Sequence, residues 1–419
     1  MQLKDWLSRL ERLHFKSIDM GLERIRAVAD RLDLLSNTPF IFTVAGTNGK
    51  GSTVALLDAF LRNSGYSTGV YTSPHLVHFN ERICIHGEEC SDAELIHAFE
   101  MVESARGAIS LTYFEFTTLA AFWLFKRAGL DAWVLEVGLG GRLDAVNILD
   151  ADIAVVTSVD LDHQAWLGND RATIGLEKIG IGRPGRPLVV GEPDVPPAIM
   201  DKARDTGMQL HLQGVDFRFT ESDGHWSLDV KTLGGHSHYG PLEYPSVYLQ
   251  NAATAIQAMA LAPFDVPETA LKKALQQVQP MGRRQILAEQ PRVMVDVGHN
   301  PHAARALAGF IEGLHSAKVH CVVGMLSDKD ITDTLLALLP VVDRWYPVEL
   351  DCERAAKADS IQSLLQEMGA LCGHLSGSGF GGAAEAVRQL QQRVDKNDLI
   401  LVFGSFYTVA DVIQYAHTA

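Results

Sequence analysis

The chain has 419 residues, 36 of them Lys or Arg and 51 Asp or Glu, giving a formal charge of −15 at pH 7, with 47% hydrophobic and 21% charged residues. At about 100–200 residues per domain this length predicts two or three domains around a large buried core, and the apolar fraction excludes a disordered chain. The acidic balance, with no dense Lys/Arg cluster, argues against nucleic acid as a partner, because neutralising phosphates needs a basic face. The N-terminal stretch MQLKDWLSRLERLHF alternates charge with apolar residues and has no continuous apolar core, so no signal peptide is expected. In chain order, Ile41–Ala45, Gly69–Tyr71, Ala132–Val137 and Ile153–Val159 are β-rich apolar runs separated by helix-length amphipathic stretches, the pattern of a parallel α/β sheet. The most apolar segment, Thr117 to Phe125, lies between Glu115 and Lys126, too short to cross a bilayer, and is expected to be a core helix. From Gln209 to Tyr244 short alternating runs predict antiparallel hairpins appended to the sheet, followed by helices at Gln250–Ala262 and Glu268–Gln277. Val278–Pro291, with Pro280, Gly282 and Pro291, is expected to be a hinge. Beyond it Val293–Val297, Val319–Gly324, Arg344–Val348 and Leu399–Phe403 predict strands of a second, smaller α/β domain, and the Gly/Ser cluster near Ser376–Gly382 a surface loop. Five scattered cysteines without a CxxC pair suit reduced thiols in a cytoplasm.

The strongest local signal is IFTVAGTNGKGSTVALLDAFL, Ile41 to Leu61, an apolar strand, a Gly-rich turn with Lys50, and an amphipathic helix. Such a turn binds phosphate: glycines let backbone N–H groups approach the oxygens, the helix start adds positive potential, and a lysine reaches the terminal phosphates. It departs from the Walker A pattern, because Val44 occupies the first glycine position and Gly51 follows the lysine, the first hydroxyls coming at Ser52 and Thr53. In VLEVGLGGRLDAVN, Val134 to Asn147, a strand delivers Glu136 to a Gly-rich loop bearing Arg142 and Asp144. Ligands of open α/β sheets bind at the carboxyl ends of strands, and a carboxylate there can hold Mg²⁺. TSVDLDHQAWLG puts Asp160, Asp162 and His163 at the same edge, where His163 is either a structural histidine or a ligand. Lys178, in a predicted helix, reads on its own as a surface cation. In the second domain VMVDVGHNPHA, Val293 to Ala303, ends a strand in Asp296, His299 and Asn300; the Asp could cap the next helix, which leaves His299 and Asn300 to binding. LVFGSFYTVADVI places Ser405 and Tyr407 on a strand-to-helix turn.

Taken together AGTNGKGS (Ala45–Ser52), TSPHL (Thr72–Leu76), LTYFEF (Leu111–Phe116), LEVGLGGRLDAVN (Leu135–Asn147), LDH (Leu161–His163), NAATA (Asn251–Ala255), GR (Gly282–Arg283), DVGHNPHA (Asp296–Ala303) and FGSF (Phe403–Phe406) resemble, in order and nearly end to end, the folylpolyglutamate synthetase and dihydrofolate synthase family of the Mur-ligase-like superfamily. The resemblance implies a P-loop-containing Mur-ligase-like ATPase domain with a parallel sheet over residues 1–280, a hinge at 281–291, and a Rossmann-like α/β glutamate-ligase domain over 292–419, with the reaction in the cleft between the domains. It implies that Gly46, Thr47, Asn48, Gly49, Lys50, Gly51 and Ser52 wrap the ATP phosphates, and that two Mg²⁺ sites draw on Ser73, Glu136, His163 and a carbamylated Lys178. Ser73 as a magnesium ligand would explain why no hydroxyl follows Lys50 directly. Asn251, Arg283 and Asp296 would meet the nucleotide, His299 and Ser405 the incoming glutamate, and Thr112, Phe114 and Asp144 the pterin or aminobenzoyl group. Lys50, Lys178 and His299 would form the catalytic set, with a monovalent cation as an optional further cofactor. The chain departs from the family in KIGIGR, where KAGIFR is more familiar, and in Arg284, where an aromatic residue often follows the GR pair.

The expected reaction is ATP-dependent amide ligation of L-glutamate to dihydropteroate and to reduced folates through an acyl phosphate, by a cytoplasmic monomer with small-molecule substrates, no membrane and no nucleic acid. The rivals are a monofunctional folylpolyglutamate synthetase, a Mur-type cell-wall ligase, and a P-loop switch or motor. LTYFEF and the absence of an additional sugar-nucleotide domain disfavour the second; the departure from Walker A and a second domain with its own polar turn disfavour the third.

Overall fold

Phe40–Ala45 (β1) sends alternate side chains into two cores, Ile41 and Ala45 into one, Phe42 and Val44 into the other. A strand covered on both faces reads as continuously apolar, which is why the run was legible as a parallel-sheet strand. The computed structural model describes residues 2–14, 19–314, 316–375 and 382–418, so all but the last residue of the Ser376–Gly382 cluster lies outside the described residues. The chain divides into two units, Met1–Val278 and Gln279–Ala419.

In the first unit β1 is joined by β2 (Thr68–Tyr71), β3 (Ile83–Ile85), β4 (Glu88–Glu89), β5 (Ala132–Glu136), β6 (Ile153–Val156), β7 (Pro187–Val190) and β8 (Gln209–Leu212) in the order β4-β3-β2-β5-β1-β6-β7-β8. All pairings are parallel except those of β3 and β4 at one edge. Glu136 therefore lies beside Val44, at the carboxyl end of the sheet centre. The Tyr113–Ala128 helix is buried continuously from Glu115 to Phe125, as expected of a core helix. Among the described residues no helix is long and apolar enough to cross a membrane.

Two expectations change. Gln209–Leu212 does not open the hairpins but pairs parallel to β7, its Leu210 and Leu212 packing on the first core. The antiparallel strands that follow, β9 (Arg218–Ser222), β10 (His225–Thr232) and β11 (Gly235–Leu242), form a sheet of their own. Its buried Trp226, Leu228, Val230 and Leu242 pack in the second core with Ala252 and Ile256 of the Leu249–Ala260 helix, so apolar burial rather than strand pairing holds it.

In the second unit β12 (Gln285–Glu289), β13 (Arg292–Asp296), β14 (Val319–Val323), β15 (Arg344–Pro347) and β16 (Leu399–Phe403) lie in the order β12-β13-β16-β14-β15. β12 is antiparallel to β13 and the rest are parallel. The expected hinge therefore contains a strand: β12 satisfies its backbone on β13 and Ile286 packs against the unit's core. Turn geometry flanks it, before the strand where Gly282 and Arg284 have φ of 69° and 45°, and after it at the Gln290–Pro291 turn into β13.

Candidate active site

The loop after β1 is built for close approach. Gly49 caps the Lys50–Asn63 helix at φ 86°, a left-handed conformation that glycine adopts without a Cβ penalty. A Cβ there would lie 2.3 Å from Asn251 Oδ1, so the buried Asn251 packs directly on the loop; one on Gly46 would lie 1.9 Å from Thr157 Oγ1. Thr157 and Ser158, after β6, latch the loop. Thr157 Oγ1 donates to the Asn48 carbonyl at 2.6 Å, Ser158 Oγ accepts from the Asn48 N–H at 3.0 Å, and Thr47 N–H donates to the Ser158 carbonyl at 2.9 Å. Lys50 Nζ folds back to the carbonyls of Gly46 (3.1 Å) and Thr47 (3.4 Å), which holds its ammonium over the turn at the positive end of the helix. Ser52 and Thr53 are buried, and Gly51 lies in the first turn between Lys50 and Ser52.

Three other strand ends meet this edge. Ser73, after β2, has its backbone N–H 3.3 Å from Glu136 Oε2. His163, after β6, caps the Gln164–Leu167 turn at φ 51°, with Nε2 4.0 Å from Asp162 Oδ2 and its side chain 42% exposed. Lys178 is not the surface cation its sequence neighbourhood suggests: it is 3% exposed. Burial pushes its ammonium down to about 7, the Lys50 charge adds to the drop, and Asp162 opposes it. The GLGG loop makes this possible, since a Cβ on Gly141 would lie 2.8 Å from the carbonyls of Glu177 and Lys178. The Glu177 carboxylate turns away to the Arg142 guanidinium at 2.9 Å, so it does not hold Lys178 charged.

A cavity of about 250 Å³ opens beside Ser73. Thr112, Phe114 and Asp144 all line it, as do Asp19, Arg82 and Glu115, which sequence reasoning missed. Phe114 stacks on Tyr71 with ring centres 5.8 Å apart. Thr112 lines the cavity while its hydroxyl accepts from the Glu115 N–H and Glu115 Oε2 accepts from the Thr112 N–H at 2.7 Å, a capping box that fixes the helix start presenting Phe114. Asp144 is buried, and desolvation pushes its carboxyl up to about 7 against the pull of the Leu139, Val146 and Gly138 N–H groups and the Lys50 charge.

In the second unit the Gly298 and Arg284 N–H groups donate to Asp296 at 2.8 and 3.0 Å, and desolvation raises its carboxyl while the Arg283 and Arg284 charges lower it. Asp296 is not the cap of the next helix. Asn300 is, accepting from the Ala303 N–H at 2.9 Å. Arg284 stacks over Phe310 at 4.4 Å, so the departure from an aromatic residue is met by a cation–π contact. His299 Nδ1 meets the Val297 carbonyl at 2.9 Å, and its ring lies 6.2 Å from Phe406. Ser405, 2% exposed, accepts from the Thr408 N–H at 3.0 Å and shares a hydrogen bond with Thr408 Oγ1, so its hydroxyl works as a helix cap.

Thr157 and Ser158 open the TSVDLDHQAWLG segment and Glu115 lies within LTYFEF, so membership of those motifs was their sequence signal; Asp19 and Arg82 belong to no motif, Arg82 lying shortly after TSPHL.

A family model for the Mur ligase, glutamate ligase domain matches residues 282–406. The dihydrofolate synthase/folylpolyglutamate synthase of Escherichia coli (strain K12) is 47% identical over 413 residues, covering 98% of this chain and 95% of that one. The structure of E. coli FolC in complex with DHPP and ADP matches at a TM-score of 0.93 and 46% identity, over 100% of this chain and 98% of that one. A bifunctional folylpolyglutamate synthase/dihydrofolate synthase with Mn, AMPPNP and L-glutamate bound matches at 0.91 and 46% identity, again over 100% and 98%. With a glycine-rich strand-to-helix loop, an acidic strand end and an aromatic-walled cavity on one sheet edge, and with such relatives over 98% or more of its length, the chain belongs to the dihydrofolate synthase/folylpolyglutamate synthase family of ATP-dependent ligases.

Proposed function

We propose that the protein joins L-glutamate to dihydropteroate and to reduced folates, using ATP to activate the acceptor carboxylate as an acyl phosphate. The observation that carries this reading is the cavity walled by Phe114 and Asp144 that opens at Ser73, next to Glu136 and the phosphate loop. A flat pteridine or aminobenzoyl group suits the Phe114 wall, and Asp144 suits the hydrogen-bond donors of a pterin edge. The loop N–H groups and Lys50 offset charge on the transferring γ-phosphoryl group. Asn251 meets the nucleotide beside the loop, while Asp296 and Arg283 suit ribose hydroxyls and phosphate. The glutamate amine attacks the acyl phosphate and phosphate leaves. His299 fits the role of proton acceptor, its ring oriented by the hydrogen bond from Nδ1 to the Val297 carbonyl.

Mg²⁺ fits the donor set at the sheet edge. Among the described residues no three His, Cys, Asp or Glu side chains converge on an ion, and Mg²⁺ characteristically takes one or two protein oxygens and completes its shell with substrate phosphates. Glu136, Ser73 and His163 would hold it, and it would supply positive charge at the phosphate oxygens. Lys178 as a carbamate would add an oxygen donor; its burial and its loss of proton affinity beside Lys50 support that modification. A monovalent cation remains part of the proposal by family resemblance alone.

Mass spectrometry of products formed with ATP and glutamate tests the reading. Purified protein should yield dihydrofolate from dihydropteroate and an added glutamate on a reduced folate monoglutamate. Extension of the folate alone would establish the monofunctional rival, and ATP turnover indifferent to both acceptors would refute ligation.

A further inference from the structure

Arg82 is the one basic side chain among the described residues lining the 250 Å³ cavity. The carboxylates on that wall are already engaged. Asp19 and Glu115 both pair with Arg24, at 2.7 and 3.1 Å, and Asp144 accepts from the Leu139 and Val146 N–H groups at 2.9 and 3.0 Å. Glu81, next in sequence, accepts from the backbone N–H groups of Leu76, Val77 and His78. No carboxylate among the described residues lies in ion-pair range of the Arg82 guanidinium.

The group is nevertheless held. Arg82 Nε donates to His75 Nδ1 at 2.8 Å, and the guanidinium carbon lies 5.6 Å from the Phe79 ring and 5.5 Å from the Tyr113 ring. Its backbone carbonyl accepts from the Thr72 N–H at 2.9 Å, which fixes it one residue from Ser73. These contacts use Nε and the π faces of the guanidinium and leave the two terminal nitrogens, the fork that binds a carboxylate in bidentate fashion.

From this we infer that Arg82 receives the acceptor substrate's carboxylate in the cavity and holds it at the Ser73 edge for phosphoryl transfer. The inference rests on the proposed function, because dihydropteroate carries a single permanent anion, its benzoate carboxylate, and that group must reach the phosphate loop. A charge-assisted bidentate pair also gives the cavity a reason to select an acid in a protein whose net charge of −15 opposes it.

The test compares dihydropteroate with its decarboxylated analogue, in which hydrogen replaces the carboxylate, by fluorescence titration of wild type, Arg82→Gln and Arg82→Lys. Wild type should prefer the acid, and Arg82→Gln should reduce that preference roughly 10- to 100-fold, the range of a hydrogen bond to a charged group. Arg82→Lys should lose less, since it keeps the charge and gives up the fork. A preference unchanged in Arg82→Gln, or affinity lost equally for both ligands in both variants, overturns the assignment, because a merely structural arginine would weaken the cavity without regard to the carboxylate. Product formation by wild type from dihydropteroate, ATP and glutamate is scored separately, so failure of the ligase reading and failure of the Arg82 assignment give different results.

Discussion

The proposed carbamylation of Lys178 makes the sharpest demand on the structure, because only the neutral amine captures CO₂. An ordinary lysine at 10.5 is neutral in about one molecule per thousand near pH 7.5, whereas a Lys178 pushed down to about 7 is mostly neutral, a gain on the order of 10³ in reactive amine. The same drop corresponds to a penalty of about 5 kcal/mol for the charged form in its buried site, the order of magnitude that desolvating an ammonium costs. Its sign follows from proton counting. Between about 7 and 10.5 the unfolded chain binds the proton and the native chain does not, so the penalty is fully present below about pH 7 and is relieved as pH rises through that window. Enzyme freed of bicarbonate should thus be inactive, and reactivation by added bicarbonate should climb with pH about a midpoint near 7. Isotope-labelled bicarbonate followed by carbon NMR reads the carbamate directly, and Lys178→Met should lose activity while gaining stability at pH 6 relative to wild type. A midpoint near 10, or full activity with no labelled carbamate, would refute the reasoning.

Lys50→Ala should lower turnover about 10²-fold or more with an unchanged melting transition, read by steady-state ATP turnover; near-normal turnover would remove Lys50 from phosphoryl transfer. Gly46→Ala would set a Cβ 1.9 Å from Thr157 Oγ1 and 3.1 Å from the Thr157 backbone nitrogen at φ 150°, so the loop must leave its latch, and kcat/KM for ATP should fall about 10²-fold. Ser405→Ala should cost about 1 kcal/mol in urea unfolding by removing the cap on Thr408, with KM for glutamate within about twofold of wild type; a large rise in that KM would restore the hydroxyl as a glutamate contact.

The glycine-rich strand-turn-helix was legible because its determinants are contiguous: β1, the glycines at 46 and 49, and Lys50 lie in one segment whose conformation its own residues dictate. The apolar runs of β5, β6, β13 and β16 were legible for a similar reason, since strands buried on both faces must be apolar throughout. The order of motifs along the chain by itself carries the resemblance to the family. What sequence could not decide was environment. Lys178 reads as a surface cation in its own helix and becomes a buried amine through the approach of Gly141 and the Lys50 charge, both from elsewhere in the chain. Thr112 and Ser405 have hydroxyls suited to a ligand, and only backbone geometry shows them engaged as helix caps. The stretch expected as a hinge folds partly as β12 because a neighbouring strand offers its hydrogen bonds, and Gln209–Leu212 joins the parallel sheet because β7 does the same. Arg82 belongs to no motif and becomes the cation of the cavity wall through Phe79, Tyr113 and His75. Local sequence specifies turn chemistry and strand pattern, while burial, proton affinity and the partner of each polar group are fixed by contacts between distant segments, which exist once the sheet has assembled.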